Sequence, residues 1–297
     1  MKRSIGHNRV LWSELLPYEF KARLADNPTV FLPLGMCEPH GQVSAFGLDT
    51  IKAEWLCLEA AERVGGIVAP SMGYHVHESG YHARWLEDEV GEVDAPMTGL
   101  PPGIMIQLFL YQLRAFANAG FRNVVVVSGH SGGNQRDLRL AAEIFMEHVP
   151  VNVWVRSDPE LVEGVFDGDH AGKYEISQLM YLRPELVDLS AREFESAQES
   201  GGKLALGDDA GEATPELGKR IMLACLSRIC EEATALRDKA LKAAVPISLP
   251  RIGYGTVELV WAKTLAASPD WATAKPWPGQ PPVSVDSRWK PYEYWKA

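Results

Sequence analysis

The strongest constraint on this chain is a set of short, β-branched runs that recur between longer segments of helical periodicity. Thr29 to Gly35 (TVFLPLG), Ile67 to Ser71, Asn123 to Ser128 (NVVVVS) and Val151 to Ser157 (VNVWVRS) are compact and mostly apolar. Such runs predict strands buried on both faces. Between them, Asp49 to Val64 sets Ile51, Trp55, Leu58 and Ala61 at helical spacing. Pro101 to Ala119 opens on prolines and closes before Gly120, and Asn134 to His148 repeats Leu138, Ala141, Ile144 and Phe145 on one face. Gly172 to Leu182 and Pro215 to Leu236 read as further helices, the second starting at Thr214, Pro215 and Glu216 as cap, first helical residue and acidic first turn. The order predicts a single α/β domain with a mainly parallel sheet flanked by helices on both faces, and ligands beyond the carboxyl ends of its strands.

That body is expected over residues 1–244. From Val245 onward eight of the twenty Pro and five of the nine Trp crowd into the last 53 residues. Trp261, Trp271, Trp277, Trp289 and Trp295 are too apolar to leave solvated together, so residues 245–297 are expected to wrap over their own domain or a neighbouring subunit. A chain of 297 residues builds a core that needs no disulfide or metal staple, so a metal, if bound, serves chemistry. The net charge of −10 and the lack of any basic run longer than Lys2-Arg3 argue against a nucleic-acid partner. The N-terminus lacks the apolar run of an export signal, and no apolar stretch approaches the ~20 residues of a membrane span. Cys37, Cys57, Cys225 and Cys230 form no CxxC pair and read as reduced thiols of a cytoplasmic protein.

Three strand ends carry titratable groups. After the first strand come Glu38, His40 and then Asp49 at the start of a helix. Glu38 and His40 are two apart, which points them to one side of an extended segment, and Asp49 can cap a helix and hold a ligand at once. Taken alone, these are equally solvated loop residues and a plain N-cap. After the third strand comes Ser128-Gly129-His130-Ser131-Gly132-Gly133-Asn134, where three glycines let the backbone turn sharply beside a ligand. After the fourth comes Asp167 to Glu175 (DGDHAGKYE), with His170 in the loop and Glu175 one turn into a helix. Histidine with Asp or Glu is the ligand set of hydrolytic Zn²⁺ or Mn²⁺ sites.

Gly129-His130-Ser131-Gly132-Gly133 also fits G-x-S-x-G, the nucleophile elbow of serine hydrolases, between a strand and a helix as that motif requires. A triad needs a later histidine, yet only His148, inside a helix, and His170 follow Ser131, and Glu38, His40 and Asp49 are left without a role. No G-x-G-x-x-G follows the first strand, which speaks against a dinucleotide site. A third alternative is a non-catalytic oligomeric binding protein that keeps the ligand set for structure.

LPLGMCEPHGQVSAFGLD, VVVVSGHSGGN and DHAGKYEIS resemble the three signature segments of the creatininase family of metal-dependent amidohydrolases. The resemblance spans about Phe31 to Leu182, and Gly207 to Leu223 is similar to the family's later helix entry. It implies a parallel α/β fold and a centre of one or two divalent ions, Zn²⁺ or Mn²⁺ with Fe²⁺ an option. It also implies ring-like homo-oligomers, often hexamers, and hydrolysis of a C–N bond in a small-molecule amide: a cyclic amide, a formamide or a relative. By position, Glu38, His40, Asp49 and His130 match metal ligands with Asp49 the bridge, and Glu175 matches the remaining carboxylate. The family's creatinine-hydrolysing type carries a glutamate two residues after the His of the second segment, where this chain has Gly132. The second ion then relies on Glu175 or is absent, and creatinine is disfavoured as substrate. Val43, Leu48, Lys173 and Ile176 are further departures that point to altered selectivity.

His170 is the expected proton donor or oxyanion partner, because an unperturbed imidazole titrates near working pH, with support of a ligand as its plainer role. Gly129, Gly132, Gly133 and Asn134 lead into a helix whose free N–H groups favour developing negative charge. Ser131 is placed to orient water or substrate, and Glu78, Lys173 and Tyr174 are candidate substrate contacts. Trp154 reads as core. The segment from Tyr74 to Pro102, with His75, His77, His82, Arg84 and Trp85, is longer than the family norm and reads as a lid.

Overall fold

A computed structural model describes residues 9–77, 81–86, 90, 96–195, 205–242, 250–268 and 270–275. In chain order its elements are α1 (Pro17–Asp26), β1 (Thr29–Leu34), α2 (Leu48–Val64), β2 (Ile67–Val68), β3 (His75–Val76), α3 (Tyr81–Trp85), β4 (Gly99–Leu100) and α4 (Pro102–Ala119). There follow β5 (Asn123–Ser128), α5 (Asn134–His148), β6 (Asn152–Ser157), α6 (Asp158–Leu161), α7 (Lys173–Leu182), α8 (Pro215–Lys242) and α9 (Tyr254–Ala267). The main sheet is parallel throughout, in the order β2-β1-β5-β6.

Alternation along β1 and β5 explains why both strands are apolar at nearly every position. Val30, Leu32, Leu34, Val124 and Val126 face a core shared with α4, α5 and α9, whereas Phe31, Val125 and Val127 face one shared with α2 and α8. A sheet covered on both faces leaves no polar side for its central strands. Leu34 pairs with Ser128 and Ser128 with Ser157, so three chain segments leave the sheet at one level. Everything of chemical interest hangs from that edge.

The strand expected over Ile67 to Ser71 contracts to Ile67–Val68: Ala69 N–H still donates to Phe31 O at 2.8 Å, but beyond it the pairing with β1 continues only as an isolated bridge between Met72 and Leu34. Trp154, expected in the core, is half-buried on the outer strand β6, with the Arg156 guanidinium 5.5 Å over its ring. An edge strand has no neighbour to enclose it. The segment from Tyr74 to Pro102 carries a two-stranded parallel pair, β3 with β4, and the short helix α3.

The expected boundary near Ala244 lies outside the described residues, as do Trp277, Trp289 and Trp295. In the described part of the extension, α9 lies against α4 and α5 of its own domain, burying Val257, Val260 and Thr264. Trp261 stacks on Trp271, which is itself buried. The extension was expected to wrap over the domain, with no element assigned to it, and a helix forms in its described part. Among the described residues no helix is long and apolar enough to cross a membrane.

Candidate metal centre

Asp49 stands at the middle of the site because two loops close onto it. A Cβ on Gly129 would lie 2.1 Å from the Asp49 carbonyl oxygen, so the chain leaving β5 can pass this close only as glycine. The chain leaving β1 brings Glu38 and His40 to the same place, and the first turn of α7 brings Glu175. Asp169 fixes that turn by accepting the N–H groups of Gly172, Tyr174 and Glu175 at 3.1, 2.7 and 3.3 Å. All five predicted ligands are buried together.

Two triads share Asp49. Glu38, Asp49 and His130 form one, and His40, Asp49 and Glu175 the other, with the ligand atoms of each triad within 4.8 Å of one another. Asp49 divides its oxygens between them: Oδ2 is 3.4 Å from His130 Nδ1, and Oδ1 is 3.5 Å from His40 Nε2. His130 Nδ1 is also 2.7 Å from Glu38 Oε1, and His40 Nε2 is 3.4 Å from Glu175 Oε2. The outer ring nitrogens are committed elsewhere. His40 Nδ1–H donates to its neighbour's carbonyl, Glu38 O, at 3.0 Å, and His130 Nε2–H donates to Val76 O at 3.1 Å. Each ring therefore turns its other nitrogen inward, where it can meet either a proton or, once deprotonated, a metal ion.

Both Asp49 carboxylate oxygens and His40 Nε2 are buried without a hydrogen bond. Leaving such atoms unmade costs about 1–3 kcal/mol each, and a divalent cation between them is the group that satisfies all three. Without it, protons do the same work. Burial opposes a charge on His40, but the Asp49 and Glu175 carboxylates outweigh it and hold the imidazole well above its usual range. Burial likewise opposes charge on His130, yet Glu38 and Asp49 push it up to about 10. Burial would raise Glu38 and Glu175, but His130 and His77 hold the first, and Lys52 and His40 the second, well below the carboxylate range.

Four further groups touch the centre. Lys52, one turn beyond Asp49 on α2 and buried, has its Nζ 2.6 Å from Glu175 Oε1, 3.3 Å from Asp158 Oδ1 and 3.5 Å from Asp49 Oδ1. Burial pushes Asp158 up to about 6 despite that ammonium. His77 Nε2 lies 3.2 Å from Glu38 Oε2. His82 occupies the space above Gly132: a Cβ there would come within 2.3 Å of its ring, and Gly132 holds a φ of +126° that side chains rarely adopt. The i, i+3 spacing of Asp49 and Lys52 was the one available sign of the lysine. His77 and His82 were marked only as members of the Tyr74 to Pro102 lid segment and nothing local marks Asp158, because tertiary folding alone brings them to the cluster.

His170 Nε2–H donates to Pro39 O at 3.0 Å, its ring stacks on His40 at 4.9 Å, and its Nδ1 is 4.0 Å from Glu175 Oε2. A cavity of about 970 Å³ opens over the cluster, and Ser131, Gly132 and His170 line it. Two expected substrate contacts do not reach it. Lys173 turns outward to Glu212 Oε2 at 2.9 Å, since α7 presents that position to the solvent side, and Tyr174 points into the core between α2 and α8. Glu78 lies outside the described residues. No hydrogen bond joins Ser131 to a histidine among the described residues, so the serine-nucleophile alternative finds no triad.

A sequence profile of the creatininase family, described as creatinine amidohydrolase, matches residues 13–233. The chain belongs to the creatininase family. With membership comes the reaction class: metal-dependent hydrolysis of a carbon–nitrogen bond, other than a peptide bond, in a small molecule. A creatinine amidohydrolase from Pseudomonas putida is 26% identical over 210 residues, 64% of this chain and 76% of that protein. The crystal structure of a creatinine amidohydrolase superposes with a TM-score of 0.62 at 24% identity, covering 77% of this chain and 98% of the other. A structure described as creatininase with Mn gives a TM-score of 0.60 at 25% identity over the same shares. A variant described as of Zn-Zn type gives a TM-score of 0.60 at 24% identity, again over 77% and 98%.

Proposed function

We propose that Glu38, Asp49 and His130 hold one divalent ion, that His40, Asp49 and Glu175 hold a second, and that Asp49 bridges them. Zinc and manganese suit this donor set of imidazoles and carboxylates, with ferrous iron a further fit. When bound, such ions polarise an amide carbonyl and lower the pKa of a water toward neutrality. The observation that carries the reading is the bridging carboxylate: two buried oxygens of Asp49, neither hydrogen-bonded, each turned toward its own imidazole.

The chain's own groups supply the rest. Glu38 and Glu175 bring the negative charge that a divalent centre requires. His77 and Lys52 fix the outer oxygens of those two carboxylates, leaving the inner ones to face the cluster. Hydrolysis adds water's oxygen to the carbonyl carbon and breaks the C–N bond, so the leaving nitrogen must gain a proton. His170, with Nε2–H tied to Pro39 O, has Nδ1 as its exchangeable position and can carry that proton across the cavity. The backbone of Gly132, Gly133 and Asn134 enters α5, whose free N–H groups favour negative charge developing on the carbonyl oxygen.

The substrate is a cyclic amide, a formamide or a related small amide. The hydrolase body is assigned to residues 1–244 and the extension to residues 245–297, a division supported by α9, which lies against α4 and α5. Four free thiols support a reducing, cytoplasmic setting. Exposed Ile104, Leu108 and Tyr111 along one face of α4 support a homo-oligomer, with a hexamer the favoured ring, and analytical ultracentrifugation reporting a monomer would contradict it. The reaction is tested by stripping the protein with a chelator and following a panel of small amides. Hydrolysis should vanish and return on adding Zn²⁺ or Mn²⁺. Turnover that survives metal removal would refute the reading.

A further inference from the structure

The cavity over the metal cluster is walled in part by segments beyond the central sheet and its helices. On one side α3 brings His82 and Trp85. On the other the 3₁₀ turn Ala272–Ala274, beyond the end of the family match at residue 233, brings Ala272 and Lys275, and the two segments touch. The turn is pinned by Asp137, whose carboxylate oxygens accept the N–H groups of Ala272 and Thr273 at 2.8 and 2.9 Å. The anchor leaves Lys275 beside Arg136, both exposed and both on the cavity wall.

The charges of this wall do not balance. Among the described residues every carboxylate lining it is already engaged: Glu38 and Glu175 in the cluster, Asp169 by three backbone N–H groups, and Glu160 by both terminal nitrogens of Arg139, at 2.8 and 2.9 Å. Asp137 spends its oxygens on the anchor. Arg136 and Lys275 form no ion pair or side-chain hydrogen bond with any described residue. Arg136 also sits in the first turn of α5, where the helix dipole disfavours a cation. Two exposed cations on one wall, engaged only through space with the buried Asp137 carboxyl, in a chain of net charge −10, form a receptor for negative charge.

We infer that the cavity selects amides carrying an anionic oxyacid group, carboxylate or phosphate, which Arg136 and Lys275 hold at the mouth while the amide reaches the cluster below. This rests on the amidohydrolase reading and narrows its substrate class. The volume of about 970 Å³ accommodates a molecule well beyond a single small ring, and the Trp85 indole offers its body an aromatic wall.

The test compares 4-formamidobenzoate with its methyl ester, and with the corresponding phosphonate to separate the two oxyacids, on the metal-loaded full chain. The charged forms should be preferred in kcat/KM by roughly tenfold, the preference falling at high salt. Arg136→Gln and Lys275→Gln should each raise KM for them about three- to fivefold with kcat nearly unchanged, and leave the ester unaffected. Equal rates for acid and ester, or variants that change neither, would overturn the inference while the hydrolase reading stands. If none of these amides is cleaved, the hydrolase reading loses support, and calorimetric binding still decides the inference. Tighter binding of the acid than the ester, lost in the double variant, supports it; a preference that persists in the double variant places the carboxylate on the metal and refutes it.

Discussion

At the scale of single residues, the convergence of Glu38, His40, Asp49, His130 and Glu175, the five proposed ligands, was legible because strand ends of a parallel sheet meet, so motifs far apart in sequence can be assigned to one place. Lys52 was not legible as a member of the site. Its spacing from Asp49 fits any helix surface, and only burial against Asp158 and Glu175 turns it into a counter-charge. Lys173 shows the reverse error: it sits within a signature segment, yet helix phase carries it to the outside. A buried ammonium with three carboxylates around it cannot be removed cheaply. Lys52→Met is expected to cost about 3–5 kcal/mol in the metal-free protein. Saturating Zn²⁺ should recover part of that, because a divalent ion supplies charge to Asp49 and Glu175. Urea unfolding with and without metal measures both quantities, and an apo protein destabilised by less than 1 kcal/mol would contradict the role given to Lys52.

At the scale of elements, β1, β5 and α5 could be read almost to the residue, since continuous apolar runs, helical periodicity and glycine turns bound them tightly. The least legible pieces were those whose stability comes from elsewhere: β3 and β4 are two residues each, and α9 lies in a Pro- and Trp-rich stretch whose composition masks a buried face. The anchor at Asp137 belongs to this scale as well. Burial pushes its carboxyl up to about 6 against the backbone N–H groups that favour the charge. A pKa raised on folding means that the native state holds the proton more tightly than the unfolded chain. Stability from this group therefore falls as pH rises from about 4 to about 6, by up to about 3 kcal/mol, and stays low above. Asp137→Asn removes the titration. Its thermal midpoint relative to wild type should be higher at pH 7.5 than at pH 5, and a difference independent of pH would contradict the burial argument.

At the scale of the whole molecule, the chain is a parallel α/β sheet whose carboxyl edge is devoted to one buried cluster of opposed charges, with α3 and the turn after α9 walling the cavity above it. That plan was readable because alternating strands and helices imply a parallel sheet with its ligand edge at the carboxyl ends of the strands, although they do not fix the strand order. The walls were not, since α3 and the turn after α9 meet only in three dimensions. The proposed two-ion centre requires Asp49 to join both ion positions. It is tested most directly by metal titration of chelator-stripped protein, read by elemental analysis after removal of free ions. Wild type should take up about two ions per chain, Glu175→Gln about one, and Asp49→Ala neither with high affinity. Undiminished uptake of two ions by Asp49→Ala would contradict the account.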